Sequence, residues 1–173
     1  MASKTTTDST FNQIARKGSK LNQFVAQSKK IIGDEVATRV LTAAESGADC
    51  LFDLASGTTY TLPLIERTEQ IGMYFTFKNI IRLTSVANKV ITKDIVTEFL
   101  LGNIFMYSTD VTESDSFDFD GTANAVAISS TNDATGGALG GVFKVTAISL
   151  TQWFIEGHLC TGSTAPTTPV SAS

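Results

Sequence analysis

The sequence predicts a mainly β protein, an antiparallel β-sandwich or jelly-roll-like body preceded by an N-terminal helical or extended arm. Three observations carry that expectation. From Val40 onward the apolar residues recur with a period of two, the runs are short, and Gly or Pro breaks separate them with no long helical pattern between. A length of 173 residues suits one domain with a real core, or a small domain plus an arm. Hydrophobic residues at 42% with eleven Phe and only three Pro describe a folded chain rather than a disordered one.

The organisation divides into an arm over 1–39, a β-rich body over 40–162 and a flexible Thr/Pro/Ser tail over 163–173. Within the body, Thr58–Leu62 alternates with Tyr60 and Leu62 on one face, between a turn at Gly57 and a stop at Pro63, which cannot donate to a ladder. Gly72–Lys78 is the clearest strand, with Met73, Phe75 and Phe77 sharing a face. Further strands are expected at Ile80–Val86, Lys89–Ile91, Ile104–Ser108, Ala125–Ser129, Gly141–Leu150 and Gln152–Glu156. Asp94–Leu101 reads equally as a helical turn or a strand. A parallel sheet is not expected, because no crossover helices separate the strands. The tail, TGSTAPTTPVSAS, is expected to gain order only against a neighbour.

The net charge of −4 hides an asymmetry. Residues 1–39 hold seven basic residues against three acidic ones, a balance of +4, which leaves −8 on the remainder. Such a split fits a basic segment that reaches an acidic partner, whether nucleic acid, a neighbouring subunit or the protein's own body, and it also fits a solvated helix face. Between Phe11 and Ile32 the positions Phe11, Ile14, Leu21, Val25 and Ile32 form a helical or heptad-like stripe, interrupted at Gly18. An isolated helix of that length is marginal in water, which argues for docking on a partner or on the body. The candidate partner-binding residues are Phe11, Ile14, Arg16, Lys17, Lys20, Leu21, Phe24 and Val25. Nucleic acid is the disfavoured partner, because aromatics do not interleave these basic residues and the whole protein is acidic.

The N-terminus lacks the apolar core of a signal peptide, and no run approaches the roughly 18 residues of a membrane span. The expectation is a soluble protein made in a cytoplasm, with no membrane partner. Cys50 and Cys160 cannot make a disulfide framework, and read either as one bridge or as two reduced, buried thiols. Chemistry is sparse. His158 and Cys160, with Cys50, would be an incomplete metal set, and the one His has no evident orienting partner for catalysis. Glu113, Asp115, Asp118 and Asp120 before Gly121 offer hard oxygen ligands for Ca²⁺, though not at EF-hand spacing. The alternative there is a solvated loop with Phe117 and Phe119 packed inward and its charge facing a neighbour's basic arm. TGGALGG, Thr135 to Gly141, lacks a phosphate-loop ending and reads as a turn. No cofactor and no enzymatic activity are expected.

The string LTAAESGADCLFDLASGTTYTLPLIERTEQIGMYFTF resembles a pattern in structural proteins of tailed bacteriophages, namely capsid decoration (cement) proteins and some fibre or knob domains. The likeness is carried by Thr42, Ser46, Gly47, Gly57, Thr59, Leu62, Pro63, Gly72, Phe75 and Phe77, and near the C-terminus by Trp153 and Gly157 in QWFIEGHLCTG. It spans about Leu41 to Gly162, and Asn79 to Asp120 departs from it. The resemblance implies a viral structural protein, commonly a homotrimer, on the capsid surface of the virion. Its partners would be the major capsid protein or neighbouring virion subunits. Two other readings stand beside this one: a fibre or knob module binding a host receptor glycan through loops around Asp110–Asn124 and Asn132–Gly141, and an enzyme using His158.

Overall fold

The computed structural model describes residues 30–33, 35–83, 87–109, 112–123, 125–131, 135–162 and 165–171. The chain divides into two units, Met1–Lys30 and Ile31–Ser173. Residues 1–29 of the proposed arm lie outside the described residues, so the account that follows is of the second unit. The division falls at Lys30 rather than at Arg39, because Ile31–Ile32 (β1) and Thr38–Val40 (β2) are strands paired within the body.

The body is a mainly β sandwich of two mixed sheets, with two short 3₁₀ turns at Ala43–Glu45 and Thr68–Gln70. The remaining strands are Asp49–Phe52 (β3), Thr59–Thr61 (β4), Tyr74–Asn79 (β5), Asn88–Ile91 (β6), Phe99–Ser108 (β7), Ser114–Asp120 (β8), Ala127–Ser130 (β9), Val142–Ala147 (β10), Gln152–Thr161 (β11) and Val170–Ser171 (β12). The larger sheet runs β1-β3-β5-β10-β11-β7-β8, and the smaller β12-β9-β6-β4-β2.

The pairing departs from the antiparallel expectation. β1, β3 and β5 are parallel neighbours in the large sheet, and β2, β4 and β6 are parallel neighbours in the small one. The chain therefore coils: it leaves one sheet, forms a strand in the other, and returns beside its starting strand. A strand of the opposite sheet does the work usually done by a crossover helix, which is why a helix-free sequence still makes parallel ladders. β7 and β11 add a ten-residue parallel ladder, Gln152 against Phe99 through Thr161 against Ser108. The pairs β5–β10, β10–β11, β7–β8, β6–β9 and β9–β12 are antiparallel.

Three local expectations change. Ile80–Leu83 is not a strand, because β5 ends at Asn79 and the chain then turns towards the small sheet; residues 84–86 lie outside the described ones. Ser114–Asp120 is a strand rather than a loop, with Phe119 buried and Phe117 packed against the core as the sequence predicts. The tail orders against its own chain: Val170 and Ser171 pair with Ile128 and Ala127 of β9. Asp94–Leu101 resolves into both alternatives in turn, since Asp94 carboxylate oxygens accept from Val96 N and Thr97 Oγ1 before β7 begins at Phe99.

The core lies between the sheets. Phe52, Tyr60, Phe77 and Phe143 form one aromatic cluster, with ring centroids 5.1 Å apart for Phe77–Phe143 and 5.4 Å for Phe52–Tyr60. Tyr60 belongs to the small sheet, yet its hydroxyl donates to the Leu51 carbonyl of the large one at 2.7 Å. Burial pushes that phenol well above its ordinary range. A second cross-link is polar: Asn88 Nδ2 donates to Asn79 Oδ1 at 3.4 Å, Asn79 Nδ2 donates to the Gly136 carbonyl at 2.7 Å, and Thr58 N donates to Asn88 Oδ1 at 3.0 Å. The glycine-rich turn is thus tied to the end of β5, which gives it a packing role.

Two glycines permit the strands flanking β11 to approach. A Cβ at Gly102 (φ +133°) would lie 2.1 Å from the Ile155 carbonyl oxygen, and one at Gly157 (φ +142°) 2.5 Å from Phe143 Cα. Both contacts are with backbone, which cannot step aside. Gly102→Ala is expected to cost ~3 kcal/mol or prevent folding, read from urea denaturation beside Gly72→Ala, which shares the backbone strain of a positive φ (+94°) but whose added Cβ meets nothing within 4 Å, so that the difference isolates the clash. Tyr60→Phe is expected to lower stability by ~1–2 kcal/mol, since it removes the hydroxyl that donates to the part-buried Leu51 carbonyl.

Glu98 is buried, and its carboxylate accepts from Ile65 N at 2.8 Å and Asp94 N at 3.3 Å, joining two loops. Burial is the larger influence and raises its pKa above the ordinary 4.5. The folded protein then holds this proton more tightly than the unfolded chain, so stability falls as pH rises from the ordinary value through the raised one. Glu98→Gln removes that dependence. The stability of the variant relative to the parent is expected to rise from about pH 4 to about pH 7, measured by urea midpoints at each pH.

Candidate interaction surface

A strand buried on one face alternates apolar and polar residues, whereas β7 is largely apolar on both faces, and β11 adds Phe154 and Cys160 to the outer one among the polar Gln152, Glu156 and His158. Leu100, Ile104 and Met106 of β7 and Trp153, Ile155 and Leu159 of β11 are buried in the core. Their neighbours Leu101, Phe105, Tyr107 and Phe154 point to the opposite, outer face of the large sheet. Phe105 is 45% exposed, Tyr107 37% and Phe154 36%. No described element covers this face. Because β7 and β11 are parallel and in register, Phe154 lies beside Leu101, His158 beside Phe105 and Cys160 beside Tyr107.

The rings form a short array. Phe105 and Tyr107 have centroids 6.5 Å apart, and Tyr107 and His158 5.7 Å. A hydrogen bond with Cys160 is the main reason the Tyr107 phenol titrates above its ordinary value. Towards the centre of the sheet, an open groove of about 400 Å³ is lined by Thr76, Val142, Phe143, Lys144, Glu156, Gly157 and His158. Lys144 and Glu156 pair across it at 2.6 Å, both well exposed, so the pair contributes little to stability.

β8 borders the array with carboxylates. Asp118 and Asp120 face outward opposite Asn103 and Leu101. Asn103 Nδ2 donates to Asp118 Oδ1 at 2.5 Å, and Ser116 Oγ donates to Asn103 Oδ1 at 2.8 Å. Thr122 N and Oγ1 donate to Asp120 Oδ1 at 3.0 and 2.7 Å and hold that carboxyl below the usual range. Neither carboxylate forms an ion pair among the described residues. The two lysines on this outer face are already engaged, Lys144 by Glu156 and Lys78 by Asp49 at 2.6 Å.

The metal candidates are not brought together. Among the described residues, no three His, Cys, Asp or Glu side chains converge. Cys50 on β3 is three strands from Cys160 on β11, roughly 14 Å by sheet spacing, and both are buried with no disulfide between them. Glu113 precedes β8, while Asp115, Asp118 and Asp120 are strung along it as an extended strand, with Asp115 on the opposite face from the other two, rather than gathered in a turn. Phe11, Ile14, Arg16, Lys17, Lys20, Leu21, Phe24 and Val25 lie outside the described residues. The outer face itself was missed in the sequence. Its signal is the unbroken apolar character of IFMY and WFI, where a strand solvated on one side would alternate. No described helix is long and apolar enough to cross a membrane.

Set against known protein families, curated proteins and solved structures, the chain matches none. An aromatic face left uncovered by the described residues is a candidate docking surface. Phe105→Ser, on this account, is expected to leave stability within about 0.5 kcal/mol of the parent while lowering binding of a fluorescent hydrophobic probe, both read on one purified sample.

Proposed function

We propose that the protein is a viral structural protein, a capsid decoration (cement) protein of a tailed bacteriophage that binds and stabilises the major capsid lattice as an oligomer. The observation that carries this reading is the uncovered, aromatic outer face of the large sheet on a sandwich whose sequence also supplies a basic, amphipathic N-terminal segment. Binding modules present apolar area and set register with charge, and this chain holds both in separate parts. The resemblance of Leu41 to Gly162 to phage structural proteins supports the same class. On this reading the protein acts at the capsid surface, as a homotrimer, without cofactor or catalysis.

The N-terminal segment contributes Phe11, Ile14, Leu21, Phe24 and Val25 as apolar anchors, while Arg16, Lys17 and Lys20 orient it towards the lattice or an adjacent virion subunit. Removing residues 2–29 leaves both strands of the first coil, β1 and β2, in place. The truncated protein is expected to stay folded and to lose cosedimentation with particles of the virus that encodes it. Full binding by the truncated chain would refute the role given to the segment.

A second reading, a fibre or knob module for a receptor glycan, is favoured by one observation: Phe105 and Tyr107 present rings beside the polar ladder of Asn103, Ser116 and Asp118. A glycan array separates the two, since the decoration reading expects no specific hit.

A further inference from the structure

We infer that the outer face of β7, β8 and β11 receives residues 1–29 of a second copy of this chain, so that copies join head to tail. The inference concerns free protein in solution and does not rest on the capsid reading.

The first argument is complementarity of charge. Residues 1–29 carry Lys4, Arg16, Lys17, Lys20 and Lys29 against Asp8 alone, a balance of +4. The receiving face carries Asp118 and Asp120 with no ion pair among the described residues, whereas its lysines are held by Glu156 and Asp49. Both carboxylates are oriented by hydrogen bonds, Asp118 by Asn103 and Asp120 by Thr122.

The second argument is apolar pattern. The segment's sequence stripe of Phe11, Ile14, Leu21 and Val25 has basic residues interspersed at Arg16, Lys17 and Lys20. The face has the reciprocal layout, with Leu101, Phe105, Tyr107 and Phe154 inside an acidic border.

The third argument is where the segment joins the body. It enters at Ile31 on β1, one edge of the large sheet, and the acidic border is β8, the other edge. Six strand spacings, roughly 29 Å, separate them. In a head-to-tail pair the donor's β1 edge lies against the acceptor's β8 edge, so the segment of one copy begins where the receiving face of the next begins. Ile31 and Val40, both exposed at the β1/β2 side, would be covered in the same contact. Such an interface is heterologous, and repetition closes it into a ring when the rotation between copies permits.

The test is sedimentation velocity on the full chain over a dilution series at low and high salt, with thermal melts to confirm folding. The wild type is expected to be larger than a monomer and to dissociate on dilution and with salt. Asp118→Lys with Asp120→Lys should weaken assembly by at least about tenfold, and Arg16→Glu, Lys17→Glu and Lys20→Glu together should do the same. Combining both sets in one chain should restore it, because the charges are exchanged. Phe105→Ser, which leaves every charge in place, should also weaken assembly. A wild type that is monomeric at every concentration would overturn the inference, as would assembly indifferent to either charge reversal, or a combined variant no better than the singles.

Discussion

Coiling between the sheets is the constraint on which the rest depends. Each parallel neighbour among β1 to β6 is placed by a strand of the other sheet, so neither sheet can form without its partner. The aromatic cluster sits where this coil meets the antiparallel half: Phe52 and Phe77 come from β3 and β5, Tyr60 from the facing sheet, and Phe143 from β10. The Tyr60 hydroxyl reaches the β3 backbone through that cluster and fixes the spacing between layers. Beyond it, β11 must fit closely between β10 and β7, and Gly157 and Gly102 are the residues that allow this.

Much of the body was legible because burial on one face writes a period of two into the sequence. β4, β5, β6 and β10 fall close to their expected positions for that reason, and Met73, Phe75 and Phe77 are buried as a set. β8 was concealed by composition, since Ser and Asp at alternate positions of SDSFDFD suggest a loop even though Phe117 and Phe119 keep the strand period. Parallel pairing was not legible at all. Period two reports which side chains point inward and says nothing about which strand lies alongside, and the familiar cue, an intervening helix, is replaced here by a strand. Assigning β1 and β2 to the arm followed charge, but Arg39 forms its ion pair with Glu45 at 2.8 Å inside the body.

The large sheet's outer face was illegible for a more instructive reason. A run apolar on both sides normally means cover on both sides, and β7, with Leu101, Phe105 and Tyr107 outward, has core cover on one only among the described residues. That is the pattern a second contact would leave in a sequence, without naming its source. Of the two edges of that sheet, β8 carries outward carboxylates that oppose pairing with a like edge, while the β1 end is short and apolar, with Ile31 exposed. Two β8 edges are thus discouraged from meeting, and a β8 edge against a β1 edge is not.

That asymmetry bears on how a small protein could hold a lattice. A single segment docked through a handful of apolar residues pays for its own ordering and binds weakly on its own. Copies joined to one another present several segments or faces at once, and the later contacts become intramolecular, raising the overall affinity without new chemistry. The same linkage works in reverse: a lattice that spaces copies correctly raises their local concentration and favours the contacts between them. Self-association and particle binding would then be coupled equilibria of one surface system, in which the charge on β8 tunes how far assembly proceeds before a particle is met.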